Sequence, residues 1–285
     1  MYTYIDPKFN LKNTLLCGQC FRWRLHSDTY YGVVESHLLG VRQNNTQLHV
    51  TVSPSVSNDQ FVRDYFNCAF SSDEILKSFP IDVYVKQAMV ASEGIRILKQ
   101  DLWETIASFI ISINKNIPAI ITIIENLSMQ YGKKIDVGTS LDLKDHYSFP
   151  DIATIARTTP SALRESGMGF RAEYLSKTSQ MIEDGVIDLS NLKKMGIDEA
   201  LSVLQTLPGV GPKVANCILL YGCNRYDAFP IDVWMKRILE ECYFKGNKVP
   251  LKKLGQFAKK YFGPYRGYVQ QYLYYWARSQ GKKNK

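Results

Sequence analysis

The first fifty or so residues alternate between apolar and polar positions. FRWRL, YYGVVES, LLGVRQ and QLHVTVS are rich in β-branched and aromatic residues, the composition and period of half-buried strands. HSDT and NNT lie between them and carry turn-forming residues. After Ser53-Pro54 the period changes. From Asn58 onward apolar residues return at helical spacing in QFVRDYF, EILKSF, WETIASFIISI and IPAIITIIENL. Ser72-Asp73 is the expected N-cap of the helix containing EILKSF. LDLKDHYSFPD has neither period and reads as a linker. SALRES, AEYLSKTSQMIED and DEALSVLQTL then resume helical spacing, and no internal repeat or long low-complexity tract is present. The pattern predicts an α+β fold, an antiparallel β domain followed by an all-helical body.

Composition narrows the class. With 285 residues, 45% hydrophobic and 22% charged, the chain has the make-up of an ordinary globular protein. No apolar run is long enough to span a bilayer, so no membrane partner is expected. MYTYIDPKFN lacks the charged-then-apolar pattern of a signal peptide, which implies an intracellular protein. Six cysteines unevenly spread form no disulfide framework and fit a reducing compartment. His26, His37, His49 and His146 have no metal-ligand spacing, so metal catalysis is not expected. His37 and His49 fall in the strand region and read as structural or exposed.

Charge adds direction. The net charge is +8, and Tyr243 to Lys285 holds 11 Lys and Arg with no Asp or Glu. In KKYFGPYRGYVQQYLYYWAR the cations are interleaved with tyrosines and a tryptophan. A charge run is usually a solvated face, but this mixture also suits a polyanion, because phosphates bind cations and bases stack on aromatic faces.

The stretch LQTLPGVGPKVANCILLYGCNRYDAFPIDVWMKRIL, residues 204–239, carries the chemistry. A helix pattern ends at Leu207-Pro208, PGVG makes a tight turn, and Pro212 sits in the first turn of the next helix. Gly209 and Gly211 permit positive φ or close backbone approach. The result is a helix-hairpin-helix, whose open turn and first-turn amides suit a phosphate oxygen. Lys213 lies in that first turn, where the helix dipole opposes a second positive charge and favours the neutral amine, a nucleophile able to form a Schiff base with a sugar carbon. An exposed lysine is the bland alternative. Asp232 precedes VWMKRILEECY and is a natural N-cap. A capping carboxylate at a pocket can also stabilise an oxocarbenium-like sugar, and the two roles are compatible.

Leu-Pro-Gly-Val-Gly, then Lys213, then Pro230-x-Asp232 resembles the signature of the helix-hairpin-helix (HhH-GPD) DNA glycosylase superfamily. CGQCFRWR, RILKQDLWETIASFIISINKNIPAI, GMGFRAEYL and FGPYRGYVQQYLYYW resemble, in the same order, blocks of its 8-oxoguanine DNA glycosylase branch. The resemblance implies an N-terminal antiparallel β domain over residues 1–90, a helical domain over 91–150 plus 247–285, and a hairpin domain over 151–246, so that the helical body has two lobes. It also implies a monomer acting on double-stranded DNA containing 8-oxoguanine, with base excision followed by strand cutting through β-elimination.

By position, the resemblance makes Lys213 the nucleophile at C1′ and Asp232 the stabiliser of developing positive charge. Gly209, Gly211 and Val214 offer amides to a phosphate. The Leu207 and Val210 carbonyls hold a structural monovalent or divalent cation. Phe170 wedges into the base stack, Arg171 reaches the orphaned base and Asn114 fills the gap left by the flipped nucleotide. Gly18, Pro230, Gln270 and Tyr274 line the base pocket, with Cys217 across the base from Tyr274. Cys217 is one turn beyond Lys213 on the same helix face.

Departures from the family pattern matter. Ala119 stands where an arginine reads the opposite cytosine in eukaryotic relatives, Lys115 replaces an Asn, Trp234 a His, and Tyr274 a common Phe. Weak discrimination of the opposite base follows. Only Cys242 follows Asp232, so no iron–sulfur cluster is expected and no cofactor is required. The monofunctional alkylated-base branch lacks the lysine, and a non-enzymatic binding module has no use for Lys213 together with Asp232. The short tails imply a prokaryotic enzyme of the cytoplasm or nucleoid. Cys17 and Cys20, in LLCGQCFRWR, have no second pair to complete a zinc site, Cys68 is isolated, and the pair leads into a strand rather than opening a helix. The resemblance instead singles out Gly18 between them, whose carbonyl would accept from the N7–H that 8-oxoguanine has and guanine lacks.

Overall fold

The computed structural model describes residues 2–5, 8–69, 72–137 and 145–280. Part of the predicted linker LDLKDHYSFPD, the last five residues and the side chain of Ser72 lie outside the described residues.

The alternating segments form an antiparallel sheet of five strands: β1 Tyr2–Ile5, β2 Trp23–His26, β3 Thr29–Val34, β4 His37–Asn44 and β5 Gln47–Ser53, in the order β1-β5-β4-β3-β2. Register is set by pairs such as Trp23 with Gly32, Tyr30 with Val41, and Val41 with Val50. Two elements escape the alternation. β1 is a four-residue edge strand paired with β5. Residues Leu11–Leu16 form a helix, α1, where the sequence pattern suggested only strands, and its start is set by Asn10, whose side chain accepts from the Asn13 amide.

Fourteen further α-helices follow among the described residues. α2 Gln60–Tyr65, α3 Ser72–Lys77 and α4 Val83–Ala91 follow the sheet, and α5 Leu102–Ile111 and α6 Ile117–Tyr131 come next. α7 Ile152–Arg157, α8 Pro160–Leu163, α9 Arg171–Glu183 and α10 Leu189–Leu192 lead to α11 Ile197–Leu204 and α12 Pro212–Gly222. α13 Val233–Tyr243, α14 Leu251–Tyr261 and α15 Arg266–Ser279 complete the body. Asp82, Asp101, Asn116, Asp151, Asp188 and Asp232 each cap a helix by accepting a first-turn amide. SALRES gives a shorter helix than its spacing predicts: α8 stops at Leu163 and a wider turn follows over Arg164–Met168, where Gly167 leaves helical dihedrals.

The core has two main parts. Tyr4, Trp23, Leu39, Val41, Leu48 and Val50 on one face of the sheet pack against Leu11 and Leu15 of α1 and Val62 and Phe66 beside α2. The helical body has its own continuous core, built around α5 and α12. α5 is buried nearly all round its circumference, as expected of a central helix. Cys17 and Phe21 belong to the helical core although they lie between α1 and β2. The CGQC segment is therefore where the sheet layer is keyed into the helical body. No described helix is long and apolar enough to cross a membrane.

The C-terminal mixture of cations and aromatics is resolved by helix geometry. Tyr268, Tyr272 and Trp276 on α15 are buried in the core, so these rings are packing residues and not a stacking platform for bases. Lys252, Lys253, Lys259 and Lys260 are exposed on α14, and Lys259 lies 3.6 Å from the Asp198 carboxylate.

Candidate active site

The hairpin is formed by α11, the turn from Gln205 to Gly211, and α12. α11 ends at Leu204, three residues before the sequence pattern suggests, and the Val210 amide donates to the Leu207 carbonyl at 3.1 Å to close the turn. Gly209 has φ +77, and a β-carbon there would lie 2.4 Å from the Tyr174 ring. Both its dihedral and its contact demand glycine. Gly211 takes the second of the two alternatives, open approach rather than positive φ: its φ is −86, it is the N-cap of α12, and no atom lies within 4 Å of where a β-carbon would stand. Its role is to leave the approach open. With Pro212 at the first position and no side-chain cap, the first-turn amides of α12 are presented to an incoming anion.

Lys213 and Asp232 meet in a cavity of about 60 Å³ lined by Cys17, Gly18, Phe109, Lys213, Cys217, Tyr221, Pro230, Asp232, Gln270 and Tyr274. All seven catalytic and base-pocket residues singled out in the sequence are among these. Asp232 caps α13 by accepting from the Met235 amide at 2.7 Å and also lines the cavity, so its capping duty does not remove it from the site. The Lys213 ammonium lies 5.3 Å from the centre of the Phe109 ring, a cation–π distance. Cys217 is 3% exposed. Burial pushes its thiol up to about 11, against the opposing pull of Lys213. It is an apolar wall at neutral pH and not a second nucleophile.

Three walls were not foreseen. Tyr221 follows Cys217 by one turn of α12, so the spacing 213, 217, 221 marks one face of that helix. Phe109 comes from α5 and stacks on Tyr221 at 5.5 Å and 13°. Nothing in its local sequence separates it from the other apolar residues of α5. Cys17 is set aside by its lack of a metal or redox partner, yet it borders the cavity.

An outer cleft of about 350 Å³ adjoins this cavity through Gly18, Phe109, Lys213, Asp232 and Tyr274, and is rimmed by Lys115, Asn116, Trp234 and Arg278. Arg278 lies 5.6 Å above the Tyr274 ring and Arg237 lies 5.5 Å above that of Trp234. The inner cavity is smaller than a purine, so its walls must part to admit one. Tyr274, half-buried between the inner cavity and the outer cleft, is the wall on the open side.

The CGQC segment is held by its glutamine. Gln19 is fully buried; its amide donates to the carbonyls of Thr14 (2.9 Å) and Arg96 (2.7 Å), and its oxygen accepts from the Leu98 amide at 2.8 Å. Both sulfurs are free, and burial pushes the Cys17 thiol up to about 11 and that of Cys20 well above its usual value. Gly18 has φ +90, and a β-carbon there would make only ordinary contacts, the nearest at 3.6 Å from Arg278. Backbone conformation rather than close packing is what requires glycine at this position.

The residues expected at the DNA face lie on three loops. Phe170 is an apolar ring left 48% exposed at the start of α9, which fits a wedge. Asn114 is exposed and holds φ +52. Asn116 caps α6 by accepting from the Ala119 amide at 3.0 Å. Arg171 is bonded within the protein. It is 4% exposed, its Nε donates to the Ile113 carbonyl at 2.6 Å, and further bonds run to the carbonyls of Met168 and Asn114. In this state Arg171 is not a free finger but a staple between the Phe170 and Asn114 loops. Reading an orphaned base would require it to give up these bonds.

Comparison with known proteins places this geometry. Residues 4–106 match the model of the 8-oxoguanine DNA glycosylase N-terminal domain, and residues 107–264 match that of the HhH-GPD superfamily of base excision DNA repair proteins. The chain belongs to the 8-oxoguanine DNA glycosylase family of the HhH-GPD superfamily. Among its relatives in this family, an N-glycosylase/DNA lyase of Saccharomyces cerevisiae is 30% identical, covering 86% of this chain and 71% of the relative. The N-glycosylase/DNA lyase OGG1 of Arabidopsis thaliana is 28% identical over 94% of this chain and 77% of its own length. The family fold is equally clear. The 8-oxoguanine glycosylase/lyase of Clostridium acetobutylicum, solved with double-stranded DNA containing cytosine opposite 8-oxoguanine, superposes with a TM-score of 0.89 at 33% identity, covering 99% of each chain.

Proposed function

We propose that this protein is a bifunctional enzyme that excises 8-oxoguanine from duplex DNA and then cuts the strand. The observation that carries the reading is the single cavity in which Lys213, Asp232, Gly18 and Gln270 converge. The target atom lies inside the base stack, so the nucleotide must be extruded. Phe170 supports the reading by offering an apolar ring to the opened step, and the hairpin amides offer donors to the adjacent phosphate.

The chemistry follows from these positions. The Lys213 amine attacks C1′ as the glycosidic bond breaks; the bonding electrons leave with the base, which takes up a proton, while the amine loses one. The Asp232 carboxylate stabilises the positive charge that develops on the sugar. Ring opening gives a Schiff base, whose electron-withdrawing nitrogen permits loss of a proton from C2′ and departure of the 3′ phosphate. Base recognition rests on two acceptors. Gln270 Oε1 is buried with no hydrogen-bond partner among the described residues, and such an atom is costly unless a ligand donor reaches it. A guanine-type edge supplies N–H donors there. The Gly18 carbonyl would accept from the N7–H of the lesion and would face the N7 lone pair of guanine. A cation on the carbonyls of Leu207 and Val210 would reinforce the phosphate grip; among the described residues the Leu207 oxygen accepts only the Val210 amide, which leaves a lone pair.

The test is an excision assay on duplexes carrying 8-oxoguanine opposite each of the four bases, with and without borohydride. Excision and a covalent adduct are expected with all four. Ala119 offers no side-chain donor to an opposite base, and Arg171 is occupied by backbone carbonyls, so rates should differ among partners by less than about a hundredfold, roughly 2.7 kcal/mol. A larger preference for cytosine would show that Arg171 leaves its carbonyls.

Cys17→Ser with Cys20→Ser should leave excision near normal, since Cys17 Sγ donates to the Thr14 carbonyl at 3.2 Å and a hydroxyl can do the same. Gly18→Ala should impair excision by about tenfold, because φ +90 costs a non-glycine residue roughly 1–2 kcal/mol. Loss of activity in the double serine variant, with the melting temperature unchanged, would return a chemical role to the sulfurs.

A further inference from the structure

We infer that Gln271, acting with Tyr221, is a positioning residue that aims the Gly18 carbonyl and thereby sets lesion recognition. The inference rests on the proposed role of that carbonyl. Gly18 is a poor anchor by itself: it has no side chain, it sits at φ +90, and a β-carbon there would touch its neighbours only at ordinary distances. Packing therefore does not fix the direction of its carbonyl. Hydrogen bonds on either side do.

On one side, Gln271 is 1% exposed, and its Nε2 donates to the Cys17 carbonyl at 3.3 Å. Its Oε1 accepts from the Tyr221 hydroxyl at 2.7 Å. The amide cannot be reversed, since that would set its oxygen against the Cys17 oxygen. Tyr221 in turn is held by its stack on Phe109. On the other side, Gln100 Nε2 donates to the Gln19 carbonyl at 2.8 Å, and the Gln19 side chain is fully bonded. The Cys17–Gly18 and Gln19–Cys20 peptides, which flank the Gly18–Gln19 peptide, are thus both pinned, while no donor among the described residues is bonded to the Gly18 carbonyl itself. It is kept aimed and free. Gln271 touches neither the cavity nor the reacting groups, and its effect runs through the Cys17–Gly18 peptide.

The experiment compares two reactions of the same full-length protein under single-turnover conditions: excision of 8-oxoguanine, and cutting of a preformed abasic site, which needs Lys213 but no base recognition. Gln271→Met keeps length and volume but neither hydrogen bond. Excision should fall by about tenfold while abasic-site cutting stays within about twofold. Gln271→Glu adds a readout that a merely structural residue would not move. A neutral carboxyl can donate to the Cys17 oxygen and a carboxylate cannot, so its excision rate relative to the unsubstituted protein should decline as pH rises through the titration of the carboxyl. That pH profile decides the matter if the Met variant does not fold. A parallel loss of both reactions, unchanged excision, or a flat pH profile for Gln271→Glu would overturn the inference. Failure of the unsubstituted protein to excise 8-oxoguanine while still cutting abasic sites would instead overturn the functional reading beneath it.

Discussion

Lys213→Gln abolishes the borohydride-trapped adduct with lesion DNA and lowers strand cutting by at least about a thousandfold, roughly 4 kcal/mol of barrier. Glutamine keeps much of the length of lysine and can lie against Phe109, but its amide nitrogen is no nucleophile. The loss is chemical rather than structural. Lys213 stands in the first turn of α12, where the helix dipole disfavours a cation, so a neutral residue there should leave the melting temperature unchanged or slightly higher. DNA binding should persist, because the hairpin contacts assigned to phosphate are backbone amides. The measurement is a gel of reduced, cross-linked product beside a filter-binding titration. An adduct surviving the substitution would assign the nucleophile to another amine. No adduct from the unsubstituted protein would favour a binding module without lyase chemistry.

Asp232→Asn separates the two duties of that carboxylate. Asparagine is as good an N-cap as aspartate, and an amide oxygen can accept from the Met235 amide as the carboxylate does now at 2.7 Å. Stability should therefore hold. The charge facing the sugar is gone, and removal of one preorganised electrostatic group typically costs about 10²–10³ in rate, roughly 3–4 kcal/mol. The expected result is a native melting temperature with base excision down by at least about a hundredfold. Asp232→Ala removes both functions and should lose about 1 kcal/mol of stability in addition. If Asp232→Asn retains most of its activity, the carboxylate serves the fold and some other group stabilises the sugar.

What could be read in the sequence was what is local. The turn PGVG, Pro212 inside the next helix and Asp232 before VWMKRILEECY each act within a few residues, and each forms the element its pattern predicts. α1 was missed because six residues are too short to show a period, although Asn10 was a visible cap. The interleaved tyrosines of α15 suggested base stacking, yet helix periodicity turns Tyr268, Tyr272 and Trp276 into the core. Phe109 could not have been chosen from α5, whose apolar residues are buried on nearly every side. The bonds that shape the CGQC segment join residues far apart: Gln19 reaches Arg96 and Leu98, and Gln271 reaches Cys17. A basic residue in GFRAEYL suggested a reader of bases, and only the folded backbone shows its guanidinium turned onto carbonyls.

Gly209 rests directly on Tyr174, and the same ring meets Phe170 edge-on at 5.6 Å and 77°. The hairpin turn and the exposed ring are therefore joined through one aromatic spacer. Neither can shift along the duplex without carrying the other. In the proposed complex the spacer would act as a gauge, setting the distance between a phosphate held at the turn and the step opened by the ring. A duplex whose rise or twist is locally altered would then offer a different interval, and its geometry would be tested before any base entered the cavity.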